Sequence, residues 1–166
     1  PFEVSVFADP SGAFTTAAGM VAVTEKYLNN KFSQKLDKSN VVILGGTGPV
    51  GVVSAVICAK AGASVTLVGR SLEKAEKIAG ICNDRYDSKN VKGGADADKS
   101  DFFNVADIVL NTGAAGIQLM SEKHIKNSST LKICADTNAV PPSGIAGVDV
   151  MDNGKVIDMS PSKCLG

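Results

Sequence analysis

Short apolar runs, spaced by longer segments of mixed character, organise this chain. Residues 41–44, 64–68, 107–111 and 131–135 are dominated by Val, Ile, Leu and Ala. Runs of this length with little polar alternation read as strands covered on both faces, as in a parallel sheet. Between the first two, Pro49 is followed by Val52, Val53, Val56, Ile57 and Ala59 on the way to Gly62, a helical pattern with a proline at its start and a glycine at its end. Residues 72–83 repeat that pattern with Ala75, Ile78 and Ala79. Ahead of them, residues 2–8 read as a strand, Asp9-Pro10-Ser11-Gly12 as a turn and residues 13–28 as an Ala-rich helix. The polar residues 29–40 form a surface connector. Val91 opens a short strand before a mobile-looking glycine and aspartate segment at 93–98, and residues 145–151 and 155–159 suggest a hairpin-like or edge pair around Asn153-Gly154. Alternating strands and helices of these lengths predict an α/β fold, a doubly wound, mostly parallel sheet with helices on both faces.

Chemistry gathers where those strands end. Gly46, Thr47, Gly48, Pro49, Val50 and Gly51 follow the first buried strand directly and open a helix. In such a G-x-G-x-x-G turn the glycines permit the tight bend, the approach of a pyrophosphate and the packing of helix on strand, while the helix N-terminus faces the phosphates. The second strand of the βαβ unit runs into Arg70, where an acidic residue would favour NAD. An arginine there favours the 2′-phosphate of NADP, with NAD as a second candidate. Ser71 and Lys74 add a hydroxyl and a charge, although Ser71 also suits a helix cap and Lys74 a solvated position. Thr112, Gly113 and Ala114 lie at the end of the strand 107–111, and Asn138 and Ala139 follow the strand 131–135, before the stiff Pro141-Pro142 pair. Ligands of open α/β sheets lie beyond strand carboxyl ends, so these residues are expected along the nicotinamide side of a Rossmann-like site.

Composition narrows the alternatives. The 166 residues are 44% hydrophobic and carry no formal net charge, so bulk electrostatics point to neither nucleic acid nor a membrane surface. No apolar run has the length of a membrane span, and the expected compartment is the cytoplasm. Cys58, Cys82, Cys134 and Cys164 form no C-x-x-C pair, which argues against a zinc site or disulfide framework. His124 is the single histidine and reads as a helix-surface residue, leaving no triad and no assignable catalytic residue. The start at Pro1, in a strand already under way, and the loop-like tail at 160–166 suggest a processed, split or truncated polypeptide.

Three motifs resemble those of the NAD(P)-dependent methylene-tetrahydromethanopterin dehydrogenases. They are GTGPVG at 46–51 with the following Gly69-Arg70; Asp9, Gly12, Thr15, Thr16, Ala17 and Ala18 at the opening of the first helix; and Ala135 to Ile145 running into Gly147-Val148-Asp149. The resemblance implies that residues 1–30 are a strand and linking helix from the substrate-domain side and that 31–166 form the NAD(P)-binding domain. It also implies that most of an N-terminal domain and a C-terminal segment lie outside this chain. Its further implications are a reduced pterin as substrate and hydride transfer from the methylene carbon to the nicotinamide, leaving a methenyl cation; the truncated cleft suggests a homo-oligomer. Positive charge in that product spreads over two nitrogens, so the protein must align two carbons and exclude water, with no obligatory base. A shikimate-dehydrogenase-like oxidoreductase and a non-catalytic NADP-sensing module are the competing readings.

Overall fold

A computed structural model of the chain describes residues 3–138 and 140–166. Five strands form one sheet: β1 (Asn40–Leu44), β2 (Ser64–Gly69), β3 (Val91–Ala95), β4 (Ile108–Asn111) and β5 (Ile133–Asp136). Their order is β3-β2-β1-β4-β5 and every pairing is parallel, so the expected mostly parallel sheet is wholly parallel among the described residues. The order reverses direction at β1, which makes the carboxyl ends of β1 and β4 the switch point of the sheet.

Alternate residues of each strand feed two separate cores. Val41, Ile43, Val65, Leu67, Ile108, Leu110 and Ile133 face a core closed by the helices α1 (Ala13–Phe32), α2 (Pro49–Lys60) and α3 (Leu72–Tyr86). Val42, Leu44, Val68, Val109 and Cys134 face the opposite core with Phe103, Met120, Ile125 and Leu131, covered by the short helices α4 (Lys99–Phe103) and α5 (Glu122–Asn127). Helices therefore lie on both faces. At the amino ends of the strands, Asp107 accepts the Asn40 amide at 2.9 Å and pairs with Lys132, which ties the starts of β1, β4 and β5 together.

Several boundaries differ from expectation. The first helix continues to Phe32, and Leu36 and Ser39 are buried, so only part of 29–40 is a surface connector. Residues 3–8 form no strand: Val4 and Val6 are exposed, and a strand there has no neighbour among the described residues with which to pair. Pro1 and Phe2 lie outside those residues. The 93–98 segment is β3 followed by a 3-10 turn rather than a mobile stretch. A Cβ on Gly93 would stand 2.3 Å from the Glu76 nitrogen and one on Gly94 2.5 Å from the Phe102 ring, so α3 and the Phe102 ring press on this strand from opposite sides. Residues 145–159 form turns, with only the single bridges Met120 to Ile145 and Val156 to Leu165. All four cysteines are buried thiols.

Candidate functional site

The chain leaves β1 through Gly45, whose φ of 65° places it in the left-handed region. Gly46 then donates to the Val68 carbonyl at 3.0 Å, Gly48 to Gly45 at 3.0 Å, and Val52 makes the first α2 bond, to Gly48, at 2.9 Å. The amides of Val50 and Gly51 precede that bond and have no partner within the helix. Side chains are excluded here by backbone. A Cβ on Gly51 would sit 2.6 Å from the Gly46 Cα, and one on Gly46 would sit 2.8 Å from the Ile43 carbonyl oxygen. Gly48 differs, because an added Cβ meets only the Gly45 oxygen, at 3.4 Å, and the space above it is open. Gly48 is also the N-cap of α2, with Pro49 at the first position.

At the tip of β2, Thr47, Arg70, Ser71 and Lys74 line one cavity of about 340 Å³. Thr47 lies over Gly69, where a Cβ would be 2.9 Å from its methyl. The Ser71 hydroxyl accepts the Lys74 amide at 3.3 Å, so the cap is real and its own proton remains available. Arg70 and Lys74 are exposed and neither is ion-paired among the described residues. Two unpaired cations and two hydroxyls around one hollow suit a phosphate monoester.

Beyond β4, Thr112 donates both its amide and its hydroxyl to the Leu44 carbonyl at 2.9 Å. A Cβ on Gly45 would lie 2.7 Å from the Gly113 Cα, so this loop rests directly on the glycine turn. Asn111, fully buried, accepts the Gly113 amide at 3.1 Å and donates to Asp136 at 2.7 Å. Asp136 also accepts the amides of Asn138 at 2.8 Å and Ile145 at 2.9 Å. The Asn138 side chain donates to the Ala114 carbonyl at 3.0 Å and accepts from Gly116 at 3.1 Å. Ala139 lies outside the described residues. Next to this network is a hollow of about 210 Å³ lined by Asp136, Asn138, Pro141, Ser143 and Val148 to Val150.

The turn at 46–51, the cavity at Arg70 and the loop at 112–114 thus share the carboxyl side of the sheet, with β1 between the other two. Sequence reasoning missed Gly45 and Asn111; the Gly45-Gly46 doublet was the only available signal for the first. It also missed a cleft of about 330 Å³ along β5, between α1 and residues 148–154, with Met20, Val23 and Tyr27 on its α1 wall. Thr24 lines that cleft, and its buried hydroxyl has no hydrogen-bond partner among the described residues. His124 is away from the site and is a half-buried cap rather than a surface residue. Its Nδ1 accepts the Ser121 amide at 3.1 Å, its ring packs on Phe103 at 5.2 Å, and burial followed by the charges of Lys99 and Lys123 lowers its pKa below 6.5. No helix among the described residues is long and apolar enough to cross a membrane.

No protein-family model matches the chain. An NAD(P)-dependent methylenetetrahydromethanopterin dehydrogenase of Methylorubrum extorquens is 40% identical over 153 residues, 90% of this chain and 52% of the relative. Over nearly all of its own length the chain is similar to this dehydrogenase. A second relative in that organism, the bifunctional protein MdtA, is 40% identical over 158 residues, 93% of this chain and 53% of the relative. The chain therefore spans about half the length of the curated relatives it matches. Among solved structures, a dipicolinate synthase chain from Bacillus halodurans superposes with a TM-score of 0.66 at 18% identity, covering 82% of this chain and 41% of its own. That likeness concerns the α/β fold alone.

Proposed function

We propose that the glycine turn and the Arg70 cavity bind NADP, with NAD as a second cofactor of the same cradle. We further propose that the whole protein transfers a hydride from methylene-tetrahydromethanopterin, or a related reduced pterin, in one-carbon metabolism. The similarity to this relative supports the reaction, and the relative's name states its NAD(P) dependence. The observation that carries the cofactor reading is the strand-tip hollow, where Arg70, Ser71 and Lys74 meet Thr47 beside the open face of Gly48. In this reading the Val50 and Gly51 amides hold the pyrophosphate, with Gly46 to Gly51 as its cradle. Arg70, Ser71 and Lys74 hold the 2′-phosphate. Thr112, Gly113 and Ala114 line the nicotinamide side, with Asn138 behind them. When bound, the nicotinamide supplies the hydride acceptor; the chain's own task is to orient it and keep water away. Residues 31–166 serve as the cofactor domain, and 1–30 lead toward the substrate side.

Titration calorimetry with both nucleotides tests the cofactor part. Arg70→Ala is expected to weaken NADP binding tenfold or more, about the worth of one charge-assisted hydrogen bond, and to leave NAD binding unchanged. Equal losses for the two would overturn the assignment of Arg70. Incubation with NADP and methylene-tetrahydromethanopterin, followed by reduced-nicotinamide absorbance, tests the reaction. Cofactor binding without turnover would count against catalysis by this polypeptide on its own.

A further inference from the structure

We infer that Asp136 and Asn138 are positioning residues that hold the loop after β4 as the seat for the nicotinamide half of the cofactor, an inference that rests on the nucleotide-binding reading above. Both side chains are committed to protein partners. Asn138 is 3% exposed and Asn111 0% exposed, so neither amide is free to meet a ligand. The Asn138 amide instead grips the loop at two points, the Ala114 carbonyl and the Gly116 N–H. Asp136 fixes Asn138 from behind by accepting its backbone N–H, and the same carboxylate accepts from Asn111 and Ile145. One carboxylate thereby registers three segments, 111–116, 136–138 and 144–145, against one another. Gly144 completes the arrangement, since a Cβ there would fall 1.7 Å from Asn111 Nδ2.

The sheet order decides which half of the cofactor this serves. The Arg70 cavity belongs to β2, the glycine turn to β1, and the held loop to β4, in that spatial order across the sheet. A dinucleotide whose 2′-phosphate lies at β2 and whose pyrophosphate lies at β1 must extend its other end over β4. Contact between Gly45 and Gly113 places the loop immediately beside the pyrophosphate turn. Gly116, with φ of 76° and open space around its Cα, lets the loop bend back to Asn138.

Calorimetry with three probes separates this role from a general structural one: NADP, NAD and adenosine 2′,5′-bisphosphate, which lacks the nicotinamide half. Asn138→Ala is expected to weaken NADP and NAD alike, by about tenfold or more from two lost buried hydrogen bonds, and to leave the bisphosphate unchanged. Retained bisphosphate binding also reports that the variant folds. Gly116→Ala, which opposes the positive φ and leaves the Asn138 side chain intact, is expected to give the same pattern and stands in if Asn138→Ala does not fold. Equal losses for all three probes, or none for any, would overturn the inference while leaving the nucleotide site in place. Failure of the unaltered protein to bind any of the three would instead remove the cofactor reading on which it rests.

Discussion

The turn after β1 and the loops after β4 and β5 touch at Gly45 and Gly113, yet they are built by opposite means. The first is made by leaving side chains out: the Gly46 backbone fills the place of a Gly51 Cβ, Leu67 and the Ile43 carbonyl fill that of a Gly46 Cβ, and the backbone carries the hydrogen bonds. The second is made by burying polar side chains, with Asn111, Asp136 and Asn138 supplying acceptors and donors that the loop backbone would otherwise lack. Two neighbouring walls of one site should therefore fail differently. The first fails only when atoms are added, whereas the second also fails when they are removed.

The largest effect is expected from Gly51→Val, which forces α2 away from the Gly46 backbone. Overpacking of this kind costs about 1–3 kcal/mol or more, and urea unfolding should show it together with loss of nucleotide binding. Gly48→Ala, whose new methyl has room within the protein, should stay within about 0.5 kcal/mol in the same assay. Equal destabilisation by both would end the distinction drawn between these glycines. On the other wall, Asn111→Ala strands the Gly113 amide and removes one of the two donors to Asp136 Oδ1, for about 1–3 kcal/mol of lost stability. A denaturation midpoint indistinguishable from that of the unaltered protein would mean that the buried network does not hold the loop.

Smaller effects sharpen the contrast at the edges of the site. Ser71→Ala removes the α3 cap and should cost about 1 kcal/mol, visible as a shifted thermal midpoint. His124, outside the site, should contribute a shallow pH dependence. Its folded pKa lies below the ordinary 6.5 because burial, then Lys99 and Lys123, disfavour its charged form, while Asp96 acts the other way. The unfolded chain takes up this proton first, so the neutral ring's contribution is fully present above about pH 6.5 and is lost as pH falls through the depressed value. His124→Gln keeps an acceptor for the Ser121 amide and should flatten that part of the profile. Superimposable melting curves across the acid range for the two proteins would refute this.

What could be read in advance follows the same division. The β1–α2–β2 unit was legible because apolar runs and spaced glycines each mark a backbone requirement, and Arg70 stands at a strand tip for the same reason. The polar network was not, since buried Asn and Asp side chains follow no period and their partners lie as far as 25 residues away in sequence. Gly45 escaped notice because its role depends on contact with Gly113, a non-local neighbour. Residues 145–159 alternate well enough to suggest strands, but the described backbone satisfies itself through turns such as Asp152 to Asp149 and Ser160 to Ile157. Glycines at 93 and 94 suggest a loosened chain when only their neighbours in sequence are considered, whereas packing against α3 and Phe102 requires them.

At Gly93 and Gly94 the partition between the two helical coats is a single bare peptide ribbon, without even a methyl on either surface. Randomising β3 and selecting for folded protein would consequently return these two codons unchanged, however freely Lys92 between its neighbours drifted.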